Sequence, residues 1–500
     1  MAGGGGNVGT EIGFRFGTMT ADLTRDTFNP AKHFVRVVMQ QGRVQLDSDW
    51  NEQAAILLHY VQSLAADLIG PHGGPGTGFN FGRVGAQPAG FMVAAGHYYV
   101  DGILCENEAD MAYDAQPGFP FAVTETKTLT PTLAYLDVWE RHINAVEDDS
   151  IREVALDGPD TTTRSQVVWQ ARSLSLAHES DIAKAATDLV TARADLGAVE
   201  ATNNIVNIRN QRQVIANAES WLLFQLTQRV GRDPSSLPGL RARARQPPTG
   251  TPEPCIIPPD AKYRGPENQL YRVQVHTGGH AGTAGTATFK WSRENGSVIF
   301  PILRVEGKVL ALQHLGRDRR GGLQPGDWIE VEDDDYVLRG ATAPLRQVQA
   351  VDDGGLTVTL DQAPAVAIDP EKHPLVRRWD HGRADPTNPG AELAADGAVK
   401  LIEGSLEEGW MDLEDGVQVQ FQKQMGSGSD YRSGDYWLIP ARTATADVEW
   451  PQVAGATAGP PSKPPRGIHH HYAPLALISA DGGIVTDLRR TIPSLDAIFS

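Results

Sequence analysis

The sequence predicts an α+β chain that is mostly β and multidomain, with an N-terminal strand-helix α+β domain, a helical hairpin insertion, and antiparallel β-sandwich or barrel-like domains beyond it. Three observations carry this. Residues 33–76 read as strand, turn and helix; residues 176–230 form a proline-free run of helix-forming residues; and short strand patterns separated by Gly- and Asp-rich turns recur after residue 266.

The opening segment holds the densest set of signals. Val35, Val37 and Met39 alternate with Phe34, Arg36 and Val38 at the strand period, and Gly42 suits a sharp reversal. Asp49 followed by Glu52 has capping-box spacing, so a helix is expected to start near Asp49. Trp50, Ala54, Leu57, Leu58, Val61, Leu64, Ala65 and Leu68 then form one helical stripe, which Gly70 and Pro71 end. Such a stripe closes a globular core or docks a partner.

Strands follow. FMVAAGHYYVDGILCEN (91–107) contains Asp101-Gly102, a hairpin signal, and TLAYLDVWERHINAV (132–146) and QVVWQARSL (166–174) are further strand patterns. Residues 19–175 therefore read as one α+β domain, after a flexible Gly-rich tail at 1–18, with Met19 an alternative start. Residues 176–232 are expected to form a helical hairpin. Ile182, Ala185, Leu189, Ala192, Leu196 and Val199 make a short coiled-coil seam, Asn203-Asn204 a turn, and Val214, Ala218, Trp221, Leu222 and Gln225 the facing side.

Nine prolines between 233 and 266 predict an extended linker. Residues 267–375 read as a β-sandwich or barrel domain and 376–500 as a C-terminal β-rich region. DWIEVEDDDYVLR is taken as one of the strands.

Composition narrows the functional classes. With 44 basic against 62 acidic residues the formal net charge is −18, which disfavours a nucleic-acid surface. The tight basic cluster Arg241, Arg243 and Arg245 reads as solvated linker. Cys105 and Cys255 cannot build a disulfide framework, and their usage fits a reducing compartment. A secretory signal and a membrane-spanning run are both missing from the sequence, so synthesis and assembly are expected in the cytoplasm, with any exit by lysis or within a particle.

Chemical motifs are weak. GPHGGPGTG (70–78) offers Gly74, Gly76 and Gly78, but after a helix rather than a strand, unlike a dinucleotide fingerprint. GSGSD (426–430) does not satisfy the nucleophile-elbow pattern. His469, His470 and His471 could offer two metal ligands on one strand face, and Asp333, Asp334 and Asp335 could reach calcium only with other oxygens; an ordinary histidine cluster and a solvated acidic turn are the preferred readings. Trp291, Trp328, Trp437 and Trp450 sit in strand contexts that favour burial over sugar stacking. No catalytic residue, metal site or cofactor is therefore assigned.

The strings GRVQLDSDWNEQ (42–53), YLDVWERHI (135–143), LDGPDTTTRSQVVWQAR (156–172), ENQLYRVQVH (267–276), TFKWSRENGSV (288–298) and GDYWLIPARTATADVEWP (434–451) resemble an uncharacterised bacterial family commonly found alongside phage-tail-like contractile injection systems. More loosely, the opening resembles the N-terminal segment of phage baseplate and tail-fibre proteins. The resemblance implies a non-enzymatic structural component at or near a baseplate or fibre attachment, released with the particle. Its partners would be other particle subunits or further copies of itself, and Arg43, Asp49, Trp50 and Asn51 would organise the head. The alternative is a carbohydrate-binding adhesin or fibre-tip module meeting a cell-surface glycan.

Overall fold

Three β modules are nested inside one another along the chain. In the computed structural model, the described residues are 19–83, 90–119, 131–232, 237–246, 262–282, 285–316, 318, 320–365, 369–381, 393–404, 408–422, 431–451, 459–480, 483 and 485–493. The fold is mostly β and multidomain, built on antiparallel sheets with few helices.

The outermost module is the head. Strand Thr132–Ile143 is flanked on one side by Arg164–Ser175 and on the other by His471–Ile478, so the C-terminal segment returns to complete the N-terminal sheet. Near it, Thr491–Ile492, His72–Pro75, Gly96–Val100 and Ile103–Asn107 form a second sheet. The Asp101-Gly102 hairpin forms as expected, with φ of 48° and 80° at its two turn residues. Gly102 is required twice over, because a Cβ there would lie 2.2 Å from the carbonyl oxygen of Gln62 on the first helix.

Inside the head sits a β-sandwich. Its larger sheet runs Val399–Lys400, Thr288–Ser292, Gln269–Val275, Tyr436–Arg442 and Asp447–Val448, and its smaller one Met411–Asp412, Val417–Gln422 and Gly239–Ala244. Side chains from both sheets, among them Tyr271, Phe289, Phe421, Trp437 and Leu240, share one core. Inside the sandwich, in turn, a closed six-stranded barrel spans Ile299–Trp379 around Phe300, Leu310, Ile329, Val348, Val358 and Val376.

This nesting corrects the expected boundaries. Residues 376–500 are not a separate region, since they supply strands to all three modules. Part of the expected linker is also a strand: Leu240, Ala242 and Ala244 point into the sandwich core and force Arg241 and Arg243 outward. Arg243 stacks on Trp410 at 3.9 Å and Arg245 pairs with Asp412 at 2.7 Å, so this cluster is not solvated linker. DWIEVEDDDYVLR likewise divides. Strand Trp328–Glu332 stops where Asp333 accepts the Tyr336 amide at 3.2 Å and caps a short helix, Asp334–Arg339, which Gly340 closes in the left-handed region.

Of the longer helices, α1 spans Asp47–Ile69, α2 Ser180–Glu200 and α3 Ile205–Val230. The hairpin α2–α3 turns at Asn203, which has φ 51°, and Asn204 caps α3 by accepting the amides of Val206 and Asn207. Ile182, Ala185 and Leu189 pack as expected, but the α3 face is Ile215, Ala218, Leu222 and Leu226, and Trp221 looks outward. Ala218 and Leu222 are common to both readings, so the face is turned by only part of the roughly 100° that one residue spans. The root of the hairpin lies on the head sheet against Leu133, Tyr135 and Tyr472.

Candidate functional site

Helix α1 begins two residues before the expected start. Leu46 is the N-cap, Asp47 accepts the Thr24 amide at 2.9 Å, and Asp49 reaches back from the third helical position to the Leu46 amide at 3.3 Å. Glu52 therefore takes no part in a capping box, and its carboxylate accepts the Thr27 hydroxyl at 2.6 Å. Residues 24–37 run beside the helix, held by these contacts, by the Val37 amide donating to Gln53 at 2.8 Å and by the Phe28–His59 ring contact at 5.8 Å.

Overlapping this segment and leading into the helix is a strap, residues 33–46, that contains no strand. The alternation expected at Phe34–Met39 is present in the residues, yet no other strand pairs with it among the described residues. Phe34, Val35, Val38, Met39, Val44 and Leu46 are all exposed. So is the helical stripe. Trp50 is 68% exposed, Leu57 56%, Val61 63%, Leu64 60% and Leu68 76%, while Ala55, Ile56 and Gln62 face the head. The residues expected to organise the head lie along this edge without converging: Arg43 follows the Gly42 turn, Asp49 caps, Trp50 faces out and Asn51 is half-buried.

A second feature is a partly open cavity of about 440 Å³ where head, sandwich and barrel meet, lined in part by His142, Arg232, Arg272, Lys290, Glu332 and His469. Charged side chains from the different modules meet in its wall. Lys290 of the sandwich pairs with Glu330 of the barrel and lies 4.2 Å over the Trp379 ring, whose Nε1 donates to Glu330 at 3.0 Å. Glu330 also accepts the Ala343 amide at 2.9 Å. Arg377 makes a forked pair with Glu332 at 3.0 and 3.1 Å, and outside the cavity Arg293 pairs in the same way with Glu414 at 2.8 and 2.7 Å.

Burial sets the protonation of this junction. It lowers the affinity of Lys290 for its proton, opposed by Glu330, and raises Glu332, opposed by Arg377. Burial beside the neighbouring arginines pushes His142 down to about 3, and burial beside Lys290 does the same to His276. Arg272 rests over the Tyr436 ring at 3.6 Å and donates to Gln274 and Asn295; burial brings it down to about 10. Four of the acids lining the cavity, Glu147, Glu330, Glu332 and Asp435, are each engaged by a lysine or arginine. The sequence carried one signal for this: cations set between apolar residues in short strands, Lys290 in TFKWS and Arg377 in LVRRW.

A family of unknown function, DUF6519, matches residues 19–224 and 219–489. The chain belongs to it. No curated protein and no solved structure matches the chain. The matched span takes in the strap, α1 and all three modules, so the exposed apolar face lies within the family's own extent.

The remaining candidates resolve individually. His470 Nδ1 is 2.6 Å from Asp137 and His471 Nδ1 is 2.8 Å from Asp101, two separate carboxylates, while His469 lines the cavity. Among the described residues no group of three or more His, Cys, Asp or Glu side chains is arranged to hold a metal ion. Asp333, Asp334 and Asp335 are not a solvated turn: Asp333 caps, Asp334 pairs with Arg141 and lies 2.8 Å from His373, and Asp335 accepts from Lys372 at 2.7 Å.

Gly74 and Gly78 pass directly over the His97 carbonyl, where a Cβ would stand 2.6 Å away, so the glycines serve close backbone packing. Trp291, Trp437 and Trp450 are buried and Trp328 is half-buried against His381. Cys105 is buried and its thiol is pushed up to about 12, while Cys255 and the loop 426–430 lie outside the described residues. Among the described residues no helix is long and apolar enough to cross a membrane.

Proposed function

We propose that this protein is a non-catalytic structural subunit of a phage-tail-like contractile injection particle, seated at or near its baseplate or fibre attachment through the strap and α1. One observation carries the assembly role. Among the described residues, 13 of 26 exposed large hydrophobic side chains lie between Phe34 and Leu68. At roughly half an exposed side chain each they present on the order of 1,000 Å², above the roughly 300–600 Å² of the largest apolar patch on an ordinary monomer and comparable to one side of a stable protein interface.

The partner class follows from charge. An interfacial membrane helix needs a basic polar face, and α1 carries Asp47, Asp49, Glu52 and Asp67 with no lysine or arginine. A protein surface is the occupant that suits it. The charged cavity wall supports a structural role for the remainder, since Glu330 pairs with Lys290 across the sandwich–barrel boundary and Asp435 pairs with Arg232 at the end of the helical hairpin. The particle class rests on the resemblance of the strings quoted above.

The experiment is particle purification from cells carrying Leu57→Glu together with Leu64→Glu. The expected result is a folded subunit missing from sedimented particles. Incorporation at the unaltered level would overturn the proposal.

A further inference from the structure

We infer that the occupant of the strap and α1 face is a second copy of this chain, so that the subunit enters the particle as a homo-oligomer built around α1. The inference rests on the reading of this face as an assembly surface and goes beyond it by naming the partner. Three independent features point to self-association.

The first is the period of the exposed stripe. Trp50, Leu57 and Leu64 are spaced by sevens, Ala54, Val61 and Leu68 by another set of sevens, and the two sets interleave at steps of 4, 3, 4, 3 and 4. All six are exposed. That is a coiled-coil seam turned to solvent, and its complement is another helix with the same repeat. Leu58 and Ala65, also seven apart, widen the seam to three apolar positions in a heptad, the width of a helix that sits in a bundle. In a cyclic assembly each copy supplies that helix automatically.

The second is charge. Residues 27–46 contain Lys32, Arg36 and Arg43 and no acid, whereas α1 contains four acids and no lysine or arginine. One continuous segment thus holds both halves of a complementary pair. Outside the strap the chain is strongly acidic, so a basic apolar strap is matched by a neighbouring copy.

The third is the backbone. From Phe34 to Met39 the strap is neither helix nor strand, and strand pairing for it is absent among the described residues. An exposed segment apolar at five of six positions, with no strand beside it, is the kind of segment that is added as a strand to another chain. Strap and helix are contiguous through Leu46, so both contacts fall on one neighbour or on adjacent neighbours in a ring.

The test is the mass of the purified full-length chain in solution, measured by light scattering and by sedimentation over a concentration series. The expected mass is a multiple of 54.0 kDa. Leu57→Glu with Leu64→Glu is expected to give a monomer with an unchanged circular dichroism spectrum, and the milder Leu57→Ser with Leu64→Ser a weakened oligomer. Arg36→Glu with Arg43→Glu is expected to weaken association as well.

A chain monomeric at its highest soluble concentration overturns the inference. If that monomer nevertheless depends on Leu57 and Leu64 to enter particles, the assembly role stands and the partner is a different subunit. If the chain oligomerises through α1 but its particles are indifferent to the substitutions, the partner is right and the particle role is wrong. An oligomer unaffected by the α1 substitutions overturns the assignment of the seam.

Discussion

The junction of sandwich and barrel and the outer face of α1 invert the usual rule of proteins in opposite directions. At the junction, Lys290, Glu330, Arg377 and Arg378 are buried, while on α1 six seam residues that would suit a core face water. The buried charges are tolerated because each has a partner inside the same chain. The exposed apolar groups have none there. A buried polar network therefore reports a finished contact, and an exposed apolar seam reports an unfinished one.

Four measurements can break or sharpen that contrast. The largest effect is expected from acid. His142, His276 and His381 are buried neutral, each with its folded pKa brought down to about 3 from 6.5 by burial. A histidine depressed in this way contributes stability that is complete above the unfolded value and is lost as pH falls from about 6.5 toward 3, at up to about 1.4 kcal/mol per pH unit for each ring. Denaturant midpoints should therefore fall steeply below pH 6.5. A flat profile down to pH 4 would show that these rings are not held neutral.

Next comes Lys290→Met, which strands Glu330 in the interior and should cost about 3–5 kcal/mol, read by denaturant unfolding. Adding Glu330→Gln should recover part of that loss, because the unpaired charge is then gone. A single substitution as mild as the double one would mean that the pair is already solvated. Leu222→Ala, at the fully buried root of the hairpin, should cost about 2–5 kcal/mol in the same assay by opening a cavity against α2.

The smallest effect is the most telling. Leu57→Ser and Leu64→Ser, measured under conditions that keep the chain monomeric, should change unfolding by no more than about 0.5 kcal/mol each, because the side chains leave water for nothing within their own chain. A cost comparable to that of Leu222→Ala would place them in a core and remove the contrast.

Local order was readable from residues alone. The α1 stripe, the Asp101-Gly102 hairpin, the α2–α3 turn at Asn203-Asn204 and the β character beyond residue 266 all depend on contacts between near neighbours, and each appears in the structure. Boundaries fared less well where a competing cap was present, as at Asp47 and Asp333. Misreading Arg241–Arg245 as linker has the same origin, since the alternation of Leu240, Ala242 and Ala244 acquires meaning only when Val417–Gln422 lies beside it.

By itself, the sequence determined the three long helices and the β character of the chain beyond residue 266, and it placed a long apolar stripe on α1. Only the tertiary structure decided that this stripe stays outside, that residues 471–492 close the head sheet, and that Lys290 meets Glu330. The physical reason is separation along the chain. Helical periodicity and turn chemistry act over a few residues, whereas strand pairing and charge burial are settled between residues tens to hundreds of positions apart, where no local pattern records which surface will find a partner.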